Sequence, residues 1–376
     1  MRYGHLERLE VKLRTLSPVF IGSGEKLTKK EYIYDRNKNR IYIPDLAKLT
    51  GYLSKRGLIP AFEKFFMHPS NNDLYTFFSG NNIGNSEYSN FIAYSINAGE
   101  VANEEKFREL LMFTKGPDGK PYIPGSSIKG ALRTAIAAKL LEKGSFESEI
   151  SSIEKSIPQY NLKRSRRYLA LETRNIERKL FCKLKPDSVK WYSQVNDFMR
   201  GIQVSDSTPI EYEYLTICGK YDRNPDGTIN QLPIYRECLV PDTTTMFVIT
   251  LDMPLLAQIG IDVSYIEDAL CKFANMQYNS FEKYFPTLPI DYDNSVTQGV
   301  EMVLGGGAGY ITKTIIYPLI QPRQRAVKAV EKMMIKMFPG HKHEADSNLH
   351  KVSPHTIKTT EYKGRYYLMG KCEIIF

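Results

Sequence analysis

Two glycine-bearing turns hold the residues of this 376-residue chain that are best suited to chemistry. The first lies in "YIPGSSIKGALRTAIAAKLLE", residues 122–142, which reads as a short strand, a turn and a helix. Four residues separate Gly125 from Gly130, as in a nucleotide-binding P-loop. Ala131 and Leu132 follow, where that loop needs a lysine and a magnesium-holding hydroxyl, so nucleotide hydrolysis is not expected. An anion site remains open: Ser126 or Ser127 can cap the helix, its free N–H groups and dipole favour negative charge, and Lys129 and Arg133 share one face. An ordinary capped helix packed on a sheet explains the same residues.

The second turn is "GGGAGY", with Gly305, Gly306, Gly307 and Gly309. It lacks the full dinucleotide-binding spacing, and the β-branched "YITKTII" follows it. Four glycines in five residues carry a large entropic cost and suit a place where another backbone comes very close. That backbone is either nucleic acid or the protein's own in a tight bulge.

Further cationic candidates are Lys163, Arg164, Arg166 and Arg167 in "KRSRR", flanked by Tyr160 and Tyr168, and Arg200 before a strand. The run suits RNA phosphates, with tyrosines to stack on bases, or a solvated charged face. His341, His343, His350 and His355 lack metal-motif spacing and read as a solvent loop. No Ser-His-Asp order and no paired carboxylates stand out, which weighs against hydrolytic catalysis. Neither cofactor nor metal is expected.

The elements around these residues form an α+β pattern with a mostly antiparallel sheet. "LERLEVKLRTLSPVFI" alternates as a strand, "GSGEKLTKK" reads as a turn, and "EYIYD" and "RIYIP" pair as a hairpin. Asp45 caps a helical stretch, 68–90 reads as surface loop, and "NEEKFRELLMF" suits helix or strand. "DRNPDG" is a hairpin turn, "TMFVITL" a buried strand, 262–285 and 324–338 helices, and "RYYLMGKCEIIF" one closing strand.

The formal charge of +9 is uneven. Residues 154–190 hold 11 basic and 4 acidic side chains, 191–310 hold 6 and 16, and 311–376 hold 12 and 5. Such blocks suit a polyanion at one surface and a basic protein at another. Five widely spaced cysteines without CxxC fit free thiols in a reducing cytoplasm, and neither a signal peptide nor a membrane span is expected.

"PYIPGSSIKGALRTAI", "MRGIQVSDS", "LGGGAGY" and the ending "SPHTIKTTEYKGRYYLMGKCEI" resemble the RAMP superfamily. The ending narrows the likeness to the type III-A CRISPR (Csm) effector subunit that caps the 3′ end of the guide RNA. The resemblance implies a ferredoxin-like (RRM-type) core from 1–50, 118–145 and 195–310. Residues 51–117 and 146–194 would be mainly helical insertions, and 311–376 a C-terminal helix and closing strand region. It implies that the glycine turn approaches the guide-RNA (crRNA) backbone and that Lys129 and Arg133 meet phosphates. Partners would be the repeated RAMP backbone subunit, the small helical subunit, and host nucleases recruited to trim the guide. The backbone subunit cleaves target RNA with an aspartate after its first strand. Here that region offers Glu25, Glu31 and the more distant Asp35, so no target cleavage is expected. The alternatives are a metal-independent RAMP endoribonuclease using a histidine such as His5 or His68, and a protein scaffold without RNA contact.

Overall fold

Alternation builds the first strand: Val11 and Leu13 are fully buried while Lys12 between them faces solvent. The computed structural model describes residues 4–69, 72–103, 107, 109–159, 169–184, 190–285 and 299–376. Its strands are β1 (Leu6–Thr15), β2 (Gly22–Thr28), β3 (Ile33–Asp35), β4 (Arg40–Pro44), β5 (Ile92–Asn97), β6 (Glu109–Phe113) and β7 (Ile202–Val204). There follow β8 (Leu215–Arg223), β9 (Ile229–Leu239), β10 (Thr244–Asp252), β11 (Val300–Val303), β12 (Ile357–Tyr362), β13 (Arg365–Leu368) and β14 (Lys371–Ile375).

One sheet runs β11-β14-β1-β10-β7 and is antiparallel throughout, with Val11 opposite Phe247 and Leu13 opposite Ile374. The helix Gly125–Leu141 packs against β7 and against a second helix, Val263–Ser280, which also meets β11. Ile128, Leu132 and Ile136 of the first helix are fully buried, each contributing roughly 1.5–3 kcal/mol. Asp262 caps the second helix by accepting from the Tyr265 amide at 2.7 Å.

The other sheet is mixed. It runs β2-β6-β9-β8-β5-β4-β3, with β12 joined to β8 and β13 to β12. β6 lies parallel to β9 and β5 to β8, while the other pairings are antiparallel. The β8–β9 hairpin closes through the Asn224 amide, which donates to the Thr228 carbonyl at 2.9 Å.

Three expectations need correction. Residues 68–90 are not simply surface loop: Leu74–Gly80 is a helix capped by Asp73. Its Leu74, Phe77 and Phe78 join Leu49, Leu53, Tyr88 and Phe91 in a separate, largely aromatic core. "GSGEKLT" is an edge strand rather than a turn; both faces are exposed except near Leu27, so no alternation marks it. The closing segment is two strands, because Gly370 (φ +84°) turns the chain from β13 in the mixed sheet to β14 in the antiparallel one. "NEEKFRELLMF" resolves as strand over Glu109–Phe113.

Candidate nucleic-acid interface

The second glycine turn leaves β11 and folds over the chain's own backbone. Gly305, Gly307 and Gly309 have φ of +77°, +84° and +94°, which side-chain-bearing residues rarely adopt. A Cβ on Gly305 would lie 2.0 Å from the Phe20 carbonyl oxygen. The Gly306 amide donates to that oxygen at 2.7 Å, and the Leu304 amide donates to the Gly370 carbonyl at 2.8 Å. One close backbone is therefore the protein's own. The opposite side of the turn is open. Among the described residues no group accepts from the amides of Gly307, Ala308 and Gly309, and all three residues are half-exposed. Neighbouring N–H groups in a turn with left-handed residues form a concavity that suits an anion.

A cation stands behind this concavity. A Cβ on Gly307 would lie 2.7 Å from Nη1 of Arg236, a buried residue of β9. Arg236 rests over the Phe20 ring at 5.4 Å and points Nη1 at Met369 Sδ, 3.4 Å away. Its Nε has no partner, and burial pushes its pKa down, opposed by the thiols of Cys238 and Cys218 and by the Asp222 carboxylate. Glu237 follows it in sequence, but strand alternation turns that carboxylate to the other face. There Glu237 accepts from Tyr94 Oη at 2.6 Å, the Phe113 amide at 2.9 Å and Lys115 Nζ at 2.6 Å. Among the described residues no carboxylate is hydrogen-bonded or salt-bridged to Arg236, and Asp222 acts on it only from beyond that range, a costly arrangement in the absence of an anion. As a lone arginine within a β pattern it carried no sequence signal.

The first glycine turn is closed. Neither Ser126 nor Ser127 caps the helix: it begins at Gly125, with Pro124 in the cap position. The Gly125 amide donates to Asp206 Oδ1 at 2.7 Å, and Ser207 Oγ accepts from the Ile123 amide at 2.9 Å. The protein's own carboxylate thus fills the end of the helix dipole. A Cβ on Gly125 would lie 2.3 Å from the Val204 carbonyl oxygen, so this glycine serves close packing on β7. Arg133 pairs with Asp197 at 2.9 Å and lies 3.6 Å over the Phe181 ring. Burial pushes the Lys129 ammonium down, and Asp197 partly restores it. Lys129 and Arg133 thus gather around one carboxylate, while Arg200 is exposed on the 3₁₀ turn Phe198–Gly201, which Asp197 caps. Tyr160, Lys163, Arg164, Arg166, Arg167 and Tyr168 lie outside the described residues.

The helix that follows the first turn borders the second turn. Ala131 of the helix, with Val303 and Thr312 from either side of the second turn, lines one narrow crevice. Thr312 and Gly309 also border a cavity of about 830 Å³ that reaches the C-terminal histidines. These histidines correct the solvent-loop reading. The rings of His343 and His355 stack at 4.4 Å and those of His341 and His343 at 5.5 Å. His343 is only 6% exposed, and neither of its nitrogens has a partner. Burial, then His355 and His341, hold its pKa at about 4. His355 Nδ1 lies 3.0 Å from Asp346 Oδ2. Among the described residues no group of three or more His, Cys, Asp or Glu side chains is placed to hold a metal.

A family model for the RAMP superfamily matches residues 12–315, which include both glycine turns. The chain belongs to the RAMP superfamily. This RAMP chain is 27% identical to the CRISPR system Cms protein Csm5 of Mycobacterium tuberculosis over 393 residues, covering 98% of each. It is 26% identical to the Csm5 protein of Streptococcus thermophilus, covering 97% of this chain and 96% of that one. Its fold matches a chain in a cryo-EM structure of a Csm–crRNA–target RNA ternary complex of a type III-A CRISPR-Cas system. That match has a TM-score of 0.65 at 20% identity over 97% of this chain and all of the other. A crystal structure of T. onnurineus Csm5 matches with a TM-score of 0.60 at 18% identity, covering 96% of this chain and 99% of that one. No helix among the described residues is long and apolar enough to cross a membrane.

Proposed function

We propose that this RAMP chain is a non-catalytic, Csm5-like subunit of a type III-A Csm complex that holds the 3′ part of the guide RNA. The observation that carries the RNA reading is the second glycine turn. Three amides with no acceptor stand beside a buried guanidinium that no carboxylate hydrogen-bonds, a place suited to a phosphate. The end-to-end likeness to Csm5 proteins supports the choice of complex. The order β14-β1-β10-β7, with the helix Gly125–Leu141 between β1 and β7 and the helix Val263–Ser280 between β10 and β14, supports reading the antiparallel sheet as a ferredoxin-like core. Residues 46–91 are read as an insertion upon it.

In this role the RNA backbone runs over Gly307–Gly309. Lys129, Arg133 and Arg200 add positive potential beside it, and the KRSRR run is a further candidate for phosphate contact. The acidic stretch 191–310 faces protein partners: the repeated backbone subunit, the small helical subunit, or the host nucleases that trim the guide. The chain itself cuts no RNA. His5 and His68, the histidines first considered as bases, lie at the start of β1 and at the end of the helix Ile59–Met67, respectively, away from the glycine turn in sequence and element.

A filter-binding titration of the purified protein with guide RNA at several salt concentrations tests this. Binding that weakens steeply with salt, with RNA intact after incubation in EDTA, is the expected result. Salt-independent or absent binding would favour the scaffold reading, and cleavage in EDTA the ribonuclease reading.

A further inference from the structure

The cavity behind the second glycine turn has no part in the function so far. Its volume of about 830 Å³ lies in the range that holds a nucleotide-sized ligand. Its floor is apolar, from the buried Ile357, Leu368 and Met369. Its rim is exposed at Phe338, His341 and Lys342. Ala308 and Gly309 are shared between the cavity and the row of open amides.

The wall is suited to a flat, polar-edged ring. His343 lies face to face with His355, and its two nitrogens are buried without partners. A neutral imidazole has one donor and one acceptor, and leaving them unmet in a buried site costs about 1–3 kcal/mol. Each nucleobase edge offers donors and acceptors side by side. Phe338 is a further aromatic face at the mouth, 47% exposed. Lys358 is held 2.5 Å from Asp222 Oδ2, with Lys220 Nζ 3.7 Å from the other oxygen, so a fixed charge group edges the site without closing it.

We propose that this cavity is a nucleobase pocket: it takes the unstacked base of one nucleotide of a single strand whose phosphate rests on Gly307–Gly309. The inference rests on the proposed RNA-binding role and adds a base-holding site to it. Apolar walls and aromatic faces receive the ring, and the His343 side chain, whose nitrogens are shut off from the cavity, turns to meet the edge of the base. A free mononucleotide has the same chemistry, so the test includes both sources.

The full chain is titrated with short oligoadenylate, oligocytidylate and oligouridylate, and separately with AMP, CMP and UMP. The strand complexes are then crosslinked with ultraviolet light and the peptides mapped. Wild type is compared with His343→Phe, which keeps a ring but removes both nitrogens, and with Phe338→Ala at the exposed rim. Crosslinks within 334–343 or 354–358 are expected for at least one strand. The same strand should bind about tenfold more weakly to His343→Phe and about threefold more weakly to Phe338→Ala, with an unchanged salt slope. If His343→Phe does not fold, Phe338→Ala and the crosslink map decide. Crosslinks elsewhere, with wild-type affinity in the folded variants, would overturn the pocket while salt-dependent strand binding kept the RNA role. No strand binding at all would overturn both. Saturable mononucleotide binding lost in the variants, with strand crosslinks elsewhere, would make this a free-nucleotide site and overturn the strand as its source.

Discussion

The two glycine turns look alike as strings and differ in what fills them. At Gly125 the helix end is occupied by Asp206, and the space a side chain would take is occupied by the carbonyls of Val204 and Ser205. At Gly305–Gly309 the protein fills one side, with Phe20, and leaves the other side open above Arg236. A glycine-rich turn before a helix is thus no measure of an anion site. The measure is whether the chain's own acceptors have already taken the amides.

The sharpest way to break this comparison is Gly125→Ala. Its Cβ meets backbone that cannot step aside, so stability should fall by about 3 kcal/mol in urea unfolding. RNA affinity of the folded fraction should stay within about twofold, since this end holds no RNA in our reading. A stable variant that has lost RNA would reverse the roles of the turns.

Acid should act on the open region's cavity. Burial depresses the pKa of both His343 and His355, that of His343 to about 4. The folded state disfavours their protonation, so their contribution is complete above pH 6.5 and lost as pH falls towards 4. His341, Asp346, Lys358 and Asp222 face the pair and set its balance. A loss of about 2 kcal/mol across that window is expected in pH-dependent unfolding, and His343→Phe should flatten it. An unchanged slope in that variant would remove His343 from the account.

Arg236→Met should weaken guide-RNA binding about tenfold and make its salt slope shallower by about one ion. Stability should hold or rise, because an unpaired buried charge is removed. Wild-type affinity would show that the guanidinium serves packing alone. The smallest effect is expected from Lys129→Ala combined with Arg133→Ala. RNA affinity should drop by less than about threefold, with some loss of stability as Asp197 is left without its partner. A tenfold loss would instead put phosphates on the helix face.

Much of the frame was legible in the sequence. β1, the β3–β4 hairpin, the Asp45-capped helix and the long helix after Asp262 follow from period and capping alone. The helix Leu74–Gly80 was hidden because asparagines, serines and glycines surround three core residues, and composition outweighed their spacing. β2 was hidden because an exposed edge strand shows no alternation. At the site, the need for a close backbone at Gly305 could be read from glycine content, but not whose backbone it was. Asp206 and Arg236 became visible only in three dimensions, since each acts on a segment far away in sequence.

The open turn also has a place in time. It is pinned by the Phe20 carbonyl and by Gly370, whose own amide donates to the Pro18 carbonyl at 2.9 Å. Three stretches far apart in sequence, around Phe20, Leu304 and Gly370, must meet before Gly307–Gly309 take their shape. A nascent chain in which Gly370 has not yet emerged therefore presents no finished concavity. In the proposed role, RNA could load at this turn only after synthesis has passed Gly370 and the emerging segment has crossed between the two sheets.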